Sequence, residues 1–168
     1  GRKVVSSFFN KFNNIIYDDE SVSILMNWLE GEGIMPPPEK KYWRPTPLPG
    51  EDFYKEFSLY DRFERLSYYW KEVNLSIQSS FAFIPEAQKY TFKLEDIVSD
   101  ECELMNFFDA VRVPYDSKYF QALKRPVNVA QPKNYLLTSD EKRKFNKICH
   151  KTMKKFKYLD KDQYVVEY

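Results

Sequence analysis

His150 is the only histidine in the chain, so an imidazole base or an imidazole metal ligand would have to be that one side chain. It falls among lysines, and the expectation for it is a solvated surface histidine. Cys102 and Cys149 lie far apart, each within an apolar helical pattern beside Met105 or Ile148. That placement predicts two buried thiols in a reducing compartment rather than a disulfide. Two separated cysteines and one histidine supply too few soft ligands for a structural zinc site. Carboxylates gather at Asp18-Asp19-Glu20, Glu51-Asp52, Glu95-Asp96 and Asp100-Glu101 with Glu103. A magnesium-dependent nuclease would collect such groups around its ion, which makes it the least remote enzymatic reading. Most of these acids, however, stand at predicted helix starts or in turns, where they suit capping. The four glycines, Gly1, Gly31, Gly33 and Gly50, form no loop in which backbone amides could cradle a phosphate. No serine nucleophile motif is present and no second histidine exists to activate a thiol. The expectation is therefore a protein without catalytic residues, metal or cofactor.

The stronger chemical signal is charge. The net charge of +1 divides unevenly along the chain. Residues 118 to 157 hold twelve basic and two acidic side chains, net +10, and the rest hold fourteen basic and twenty-three acidic, net −9. On a helical wheel Arg143, Lys147, His150, Lys151 and Lys154 fall opposite the apolar stripe Phe145, Ile148, Cys149 and Phe156, with Lys144 and Lys155 on its flank. One face packs and the other is basic. A face of this kind attracts polyanions, because each neutralised phosphate releases counterions. The leading expectation is a nucleic-acid contact, RNA or DNA, through Arg143, Lys144, Lys147, Lys151, Lys154 and Lys155. Tyr119, Phe120 and Tyr135 are the nearby candidates for stacking on exposed bases, with core packing as the alternative for each. Two other readings stand beside this one: a merely solvated lysine face, and a face that meets an acidic protein surface, on a partner or on this chain. Lys142-Arg143, ten residues, then Lys154-Lys155-Phe156-Lys157 also fits a loose bipartite nuclear-import pattern, unreadable as an extended peptide if the helix is folded.

Those side chains need a scaffold. Val5, Phe8, Phe9, Phe12, Ile15 and Ile16 recur at helical spacing and open the chain with a helix. Asp18 to Glu20 cap a second, bearing Val22, Leu25, Met26 and Leu29, and Gly31 and Gly33 stop it; the two are expected to pair antiparallel. Residues 34–50, with six prolines, form an extended segment that crosses the surface. Within it Trp43 is either a docking side chain for an aromatic groove or, the favoured outcome, packed on its own domain. Ser58, with Asp61 three residues later, predicts a third helix bearing Leu59, Tyr60, Phe63, Leu66, Trp70 and Val73. Tyr90, Phe92 and Leu94 alternate with polar residues as in a half-buried strand, with Leu75 to Phe83 as a hairpin partner. Asp100 caps a helix that Pro114 ends, a short helix follows from Asp116 to about Leu123, and Thr138 or Ser139 caps the last one. Gln163 to Tyr168 has strand composition.

The pattern predicts a mainly α protein, one domain over residues 1–168, with five or six helices and a small β element. At 43% hydrophobic residues the chain carries enough apolar material to form a core. No apolar run approaches the roughly 18 residues that span a bilayer, and the N-terminus lacks a signal peptide's apolar block. A start at Gly1 rather than Met suggests a piece of a longer protein. The expected role is a non-catalytic binding module inside the cell, nuclear before cytoplasmic, contacting nucleic acid; the alternative is a protein-docking or scaffold module with no nucleic-acid contact.

Overall fold

The computed structural model describes residues 2–11, 16–124 and 137–160. Eight α-helices lie among them: α1 (Arg2–Lys11), α2 (Asp19–Leu29), α3 (Tyr54–Phe57), α4 (Arg62–Ser80), α5 (Leu94–Ser99), α6 (Glu101–Ala110), α7 (Lys118–Leu123) and α8 (Ser139–Lys155). The mainly α class is as expected, and the two helices that the apolar spacing did not announce, α3 and α5, are short.

Helix starts follow side-chain capping. The Asp18 carboxylate accepts from the Ser21 amide at 2.9 Å, and Asp100 accepts from the Cys102 amide at 2.9 Å. Asp61 with Glu64, and Thr138 with Glu141, form capping boxes in which each partner satisfies the other's backbone amide. The third predicted helix therefore opens at Asp61 rather than Ser58, leaving Leu59 outside the helix and exposed.

Helix α4 is the spine of the molecule. Helix α1 lies along it, with Phe9 edge-on to Phe63 at 5.6 Å, rather than taking α2 as its principal partner. Helix α8 lies against it more extensively, inserting Phe145, Ile148, Cys149, Thr152 and Met153. Trp70 of α4 meets Phe145 at 5.7 Å, and the Cys149 thiol donates to the Ser67 carbonyl at 3.2 Å. Burial pushes that thiol's pKa well above its ordinary value. Cys102, expected to be buried, is exposed: its short helix packs through Leu104 and turns Cys102 outward. Both thiols are free.

A second aromatic cluster joins the shorter helices, running from Phe92 through Phe107 and Phe108 to Tyr115 and Tyr119. The proline-rich segment is tied down by the Tyr17 hydroxyl, which donates to the Pro45 carbonyl at 2.6 Å, and by Pro47, which is fully buried.

The expected β element is absent among the described residues. Leu75 to Ser80 continues α4, with the Ser79 and Ser80 hydroxyls donating back to the Leu75 and Ser76 carbonyls at 3.0 Å. Tyr90 to Lys93 belongs to no helix or strand, and Leu94 already belongs to α5. The strand-like tail 163–168 and Tyr135 lie outside the described residues.

Three helices end in the same way. After α2 the Gly31 amide donates to Trp28 and the Glu32 amide to Asn27; after α6 Arg112 and Val113 donate to Asp109 and Phe108; after α8 Lys157 and Tyr158 donate to Lys154 and Met153. This double bond places residue C′ in the left-handed region, at φ 83° for Gly31, 57° for Arg112 and 56° for Lys157. Only Gly31 is free of a Cβ penalty there. Lys157→Gly should therefore raise stability by about 0.5–1 kcal/mol, and Arg112→Gly by a similar amount, after allowing for the lost cation near the helix C-terminus. The check is the urea midpoint at unchanged slope, which should move upward for both variants. A downward shift would mean that the cation–dipole attraction outweighs the left-handed strain.

Candidate binding surface of the last helix

Helix α8 presents its cations as the wheel predicts, but its own acids reach part of them. Arg143 is exposed and ion-paired to Asp140. The Lys144 ammonium lies 2.8 Å from the Asp140 carboxylate and 2.6 Å from that of Asp61, the cap of α4. These two carboxylates hold the Lys144 ammonium well above its usual pKa, and the two cations in turn depress that of Asp140. Lys144 is thus a clasp between α8 and the start of α4 rather than an available cation. Both residues were expected to face a polyanion, and in the structure each is ion-paired within the chain.

The C-terminal two-thirds of the helix differs. Lys147 lies 5.5 Å over the ring of Tyr60, whose buried hydroxyl is pushed up to about 12 by burial and then by Glu56 and Glu64. Lys151, Lys154 and Lys155 are exposed and make no ion pair among the described residues. Spacings of four and three residues keep Lys147, Lys151 and Lys154 on one side of the helix. His150 is exposed beside them.

The predicted stacking residues are not gathered at this face. Phe120 is buried, which removes it as a stacking plane, and Lys124 lies 4.2 Å over its ring. Tyr119 is exposed at its rim, but one face of its ring is already stacked on Phe108, with centroids 5.2 Å apart and planes 5° apart. Trp43 is 41% exposed; its indole N–H donates to the Pro37 carbonyl at 2.7 Å and its ring meets Trp28 edge-on at 5.5 Å. The carboxylate groups are spent largely as the capping reading holds, with Glu51 also accepting from the Leu48 amide at 2.8 Å. Among the described residues no three histidine, cysteine or acidic side chains converge as metal ligands, and no helix is long and apolar enough to cross a membrane.

A feature outside the predicted set adjoins the end of α8. A cleft of about 590 Å³ opens between the end of α4 (Ile77, Phe81), the extended segment Tyr90 to Lys93, and the turn after α8 (Phe156, Tyr158), with Lys155 at its rim. Lys93 lies 5.6 Å over the ring of Tyr158, joining the two walls. Of the cleft's lining residues Ile77 and Tyr90 are each more than half exposed, and Phe81, Phe92 and Phe156 are partly so. The alternation of Tyr90, Phe92 and Leu94 was the signal in the sequence for this place, though it could not show that the segment borders a cleft.

Comparison of the chain with protein-family models, with curated proteins and with solved structures finds no match.

Proposed function

We propose that the protein is a non-catalytic docking module that binds another polypeptide through the face surrounding this cleft. The carrying observation is the set of large apolar side chains that line the cleft in contact with water: Ile77 and Tyr90, with Phe81, Phe92 and Phe156 partly exposed beside them. Isolated apolar residues on a surface are ordinary, but several beside one cleft mark an interaction site. Peptides selected from a random display library on the immobilised chain should lose most of their affinity for an Ile77→Asp, Tyr90→Asp double variant. Both side chains are exposed, so the variant keeps its fold. Undiminished binding to it would sink this reading.

A second reading keeps the nucleic-acid contact and, with it, the nuclear placement. It is favoured by Lys147, Lys151, Lys154 and Lys155, the exposed cations of α8 that no described acid neutralises. Four phosphate contacts imply that affinity for RNA or DNA falls roughly a hundredfold between 50 and 200 mM salt. Changing the four lysines to glutamate together should abolish that binding, whereas peptide docking at the cleft should hardly respond to salt. Salt-insensitive nucleic-acid binding, or binding retained in the glutamate variant, would remove the second reading.

A further inference from the structure

The segment Tyr90 to Lys93 has strand composition and belongs to no helix or strand. It is bracketed in the β region by Lys89 (φ −98°, ψ 116°) and Lys93 (φ −96°, ψ 131°). Among the described residues the backbone N–H and C=O groups of Tyr90, Thr91 and Phe92 take part in no hydrogen bond. A strand viewed on its face shows every second residue, whereas viewed on its edge it shows every residue in turn. Tyr90, Thr91, Phe92 and Lys93 all line the cleft, as the edge of an extended segment would and its face would not. An open edge of this kind is a template for pairing.

The unmet groups define the occupant. A small molecule could engage one or two of them, whereas an extended polypeptide repeats donors and acceptors at about the same 3.3 Å rise as the segment itself. The opposite wall is apolar where Ile77, Phe81 and Phe156 meet the cleft, which suits apolar side chains at alternate positions of such a strand. We infer that the cleft takes an extended strand of another polypeptide, hydrogen-bonded along the backbone of Tyr90 to Phe92. This rests on the docking reading above and specifies the form in which the partner binds.

The probe is a capped, fluorescent octapeptide of alternating threonine and valine, with a twin N-methylated at every residue so that it has no amide donors. Fluorescence anisotropy on the full chain should show the first peptide binding, and the twin binding about tenfold or more weakly. Thr91→Pro removes one edge amide from a residue that is exposed and makes no hydrogen bond, and should weaken the octapeptide to the same degree. Thr91→Ala, which keeps the amide, should leave affinity within about twofold. If Thr91→Pro fails to fold, the twin on the unmodified chain still decides the matter. Equal binding of the twin, or no binding of the octapeptide, overturns strand addition. Sedimentation showing a dimer that Thr91→Pro abolishes would assign the edge to a second copy and overturn it equally. Should Ile77→Asp, Tyr90→Asp destroy display-selected binding while Thr91→Pro leaves it intact, docking stands and strand addition falls.

Discussion

Phe145→Ala is expected to destabilise the protein by about 4 kcal/mol, read as a lowered urea midpoint by circular dichroism. Phe145 is fully buried, and its ring meets Trp70 of α4 at 5.7 Å. Truncating it removes the transfer free energy of the ring and leaves a cavity that α4 and α8 cannot close without giving up the packing of Ile148 and Cys149 beside it. Helix α8 has little else to hold it. Nine of its seventeen residues are lysine, arginine, aspartate or glutamate, and an isolated helix of that length is marginal in water. Its attachment rests on the five residues that it buries and on the Lys144 clasp. The consequence extends to the candidate surface: a variant that loosens α8 should also lose the turn carrying Phe156 and Tyr158, and with it one wall of the cleft. Lys151→Ala, on the opposite side of the same helix, should change the midpoint by no more than about 0.5 kcal/mol. A cost for Phe145→Ala near that of Lys151→Ala would mean that α8 is not held by its apolar stripe.

That stripe is the part of the fold most legible in the sequence, and the reason is geometric. Apolar residues at helical spacing can face one core only if the chain is helical, so α1, α4 and α8 follow from Val5 and Phe8, from Phe63, Leu66 and Trp70, and from Phe145, Ile148 and Cys149. Short polar side chains are ambiguous where the period is weak. Leu75 to Phe83 reads as a hairpin partner, yet it contains no glycine or proline, and the Ser79 and Ser80 hydroxyls bond back within the helix instead of competing with it. At Tyr90 to Leu94 the alternation suggested a strand that the structure does not contain: a strand is completed by a neighbour, and alternation carries no information about whether one is supplied.

The candidate site was legible in the same uneven way. The wheel placed Arg143 and Lys144 with the other cations, because angular position on a helix is a local property. Arg143 meets Asp140 within the helix itself, whereas Lys144 also makes a contact that only folding creates: Asp61 lies 83 positions before it in the chain. Phe120 and Tyr119 make the same point over a single residue. On so short a helix as α7 the apolar pattern cannot tell which neighbour turns inward, and it is Phe120 that does.

Arg65 was invisible to pattern reading, since a cation inside an apolar stripe looks like an error in the stripe. It is buried on α4, and its guanidinium donates to the Tyr17 carbonyl at 3.2 Å, to the Ser58 carbonyl at 3.1 Å and to the Asp19 carboxylate at 2.6 Å. One planar fork thus ties the turn before α2 and the turn before α4 to the middle of the structure. Tyr17 gives the tie its weight, because it sits at φ 59°, where a residue with a Cβ is disfavoured by about 1–2 kcal/mol. Something must hold it there, and the holders are Arg65 on its carbonyl and Pro45 on its hydroxyl. Arg65→Met keeps most of the volume but leaves two carbonyls without their donor, and should lower stability by about 3 kcal/mol. Arg65→Lys should recover only part of the loss, because one ammonium on a flexible stem cannot span the three acceptors as the fork does. The ion pair itself contributes little by comparison. The Asp19 side chain is 93% exposed, so water replaces the guanidinium when the pair is broken, and Asp19→Asn should cost no more than about 1 kcal/mol. A double-mutant cycle between Arg65→Met and Asp19→Asn separates the two roles. A coupling energy that accounts for most of the Arg65→Met effect would show that the salt bridge, rather than the pair of carbonyls, is what the buried guanidinium serves.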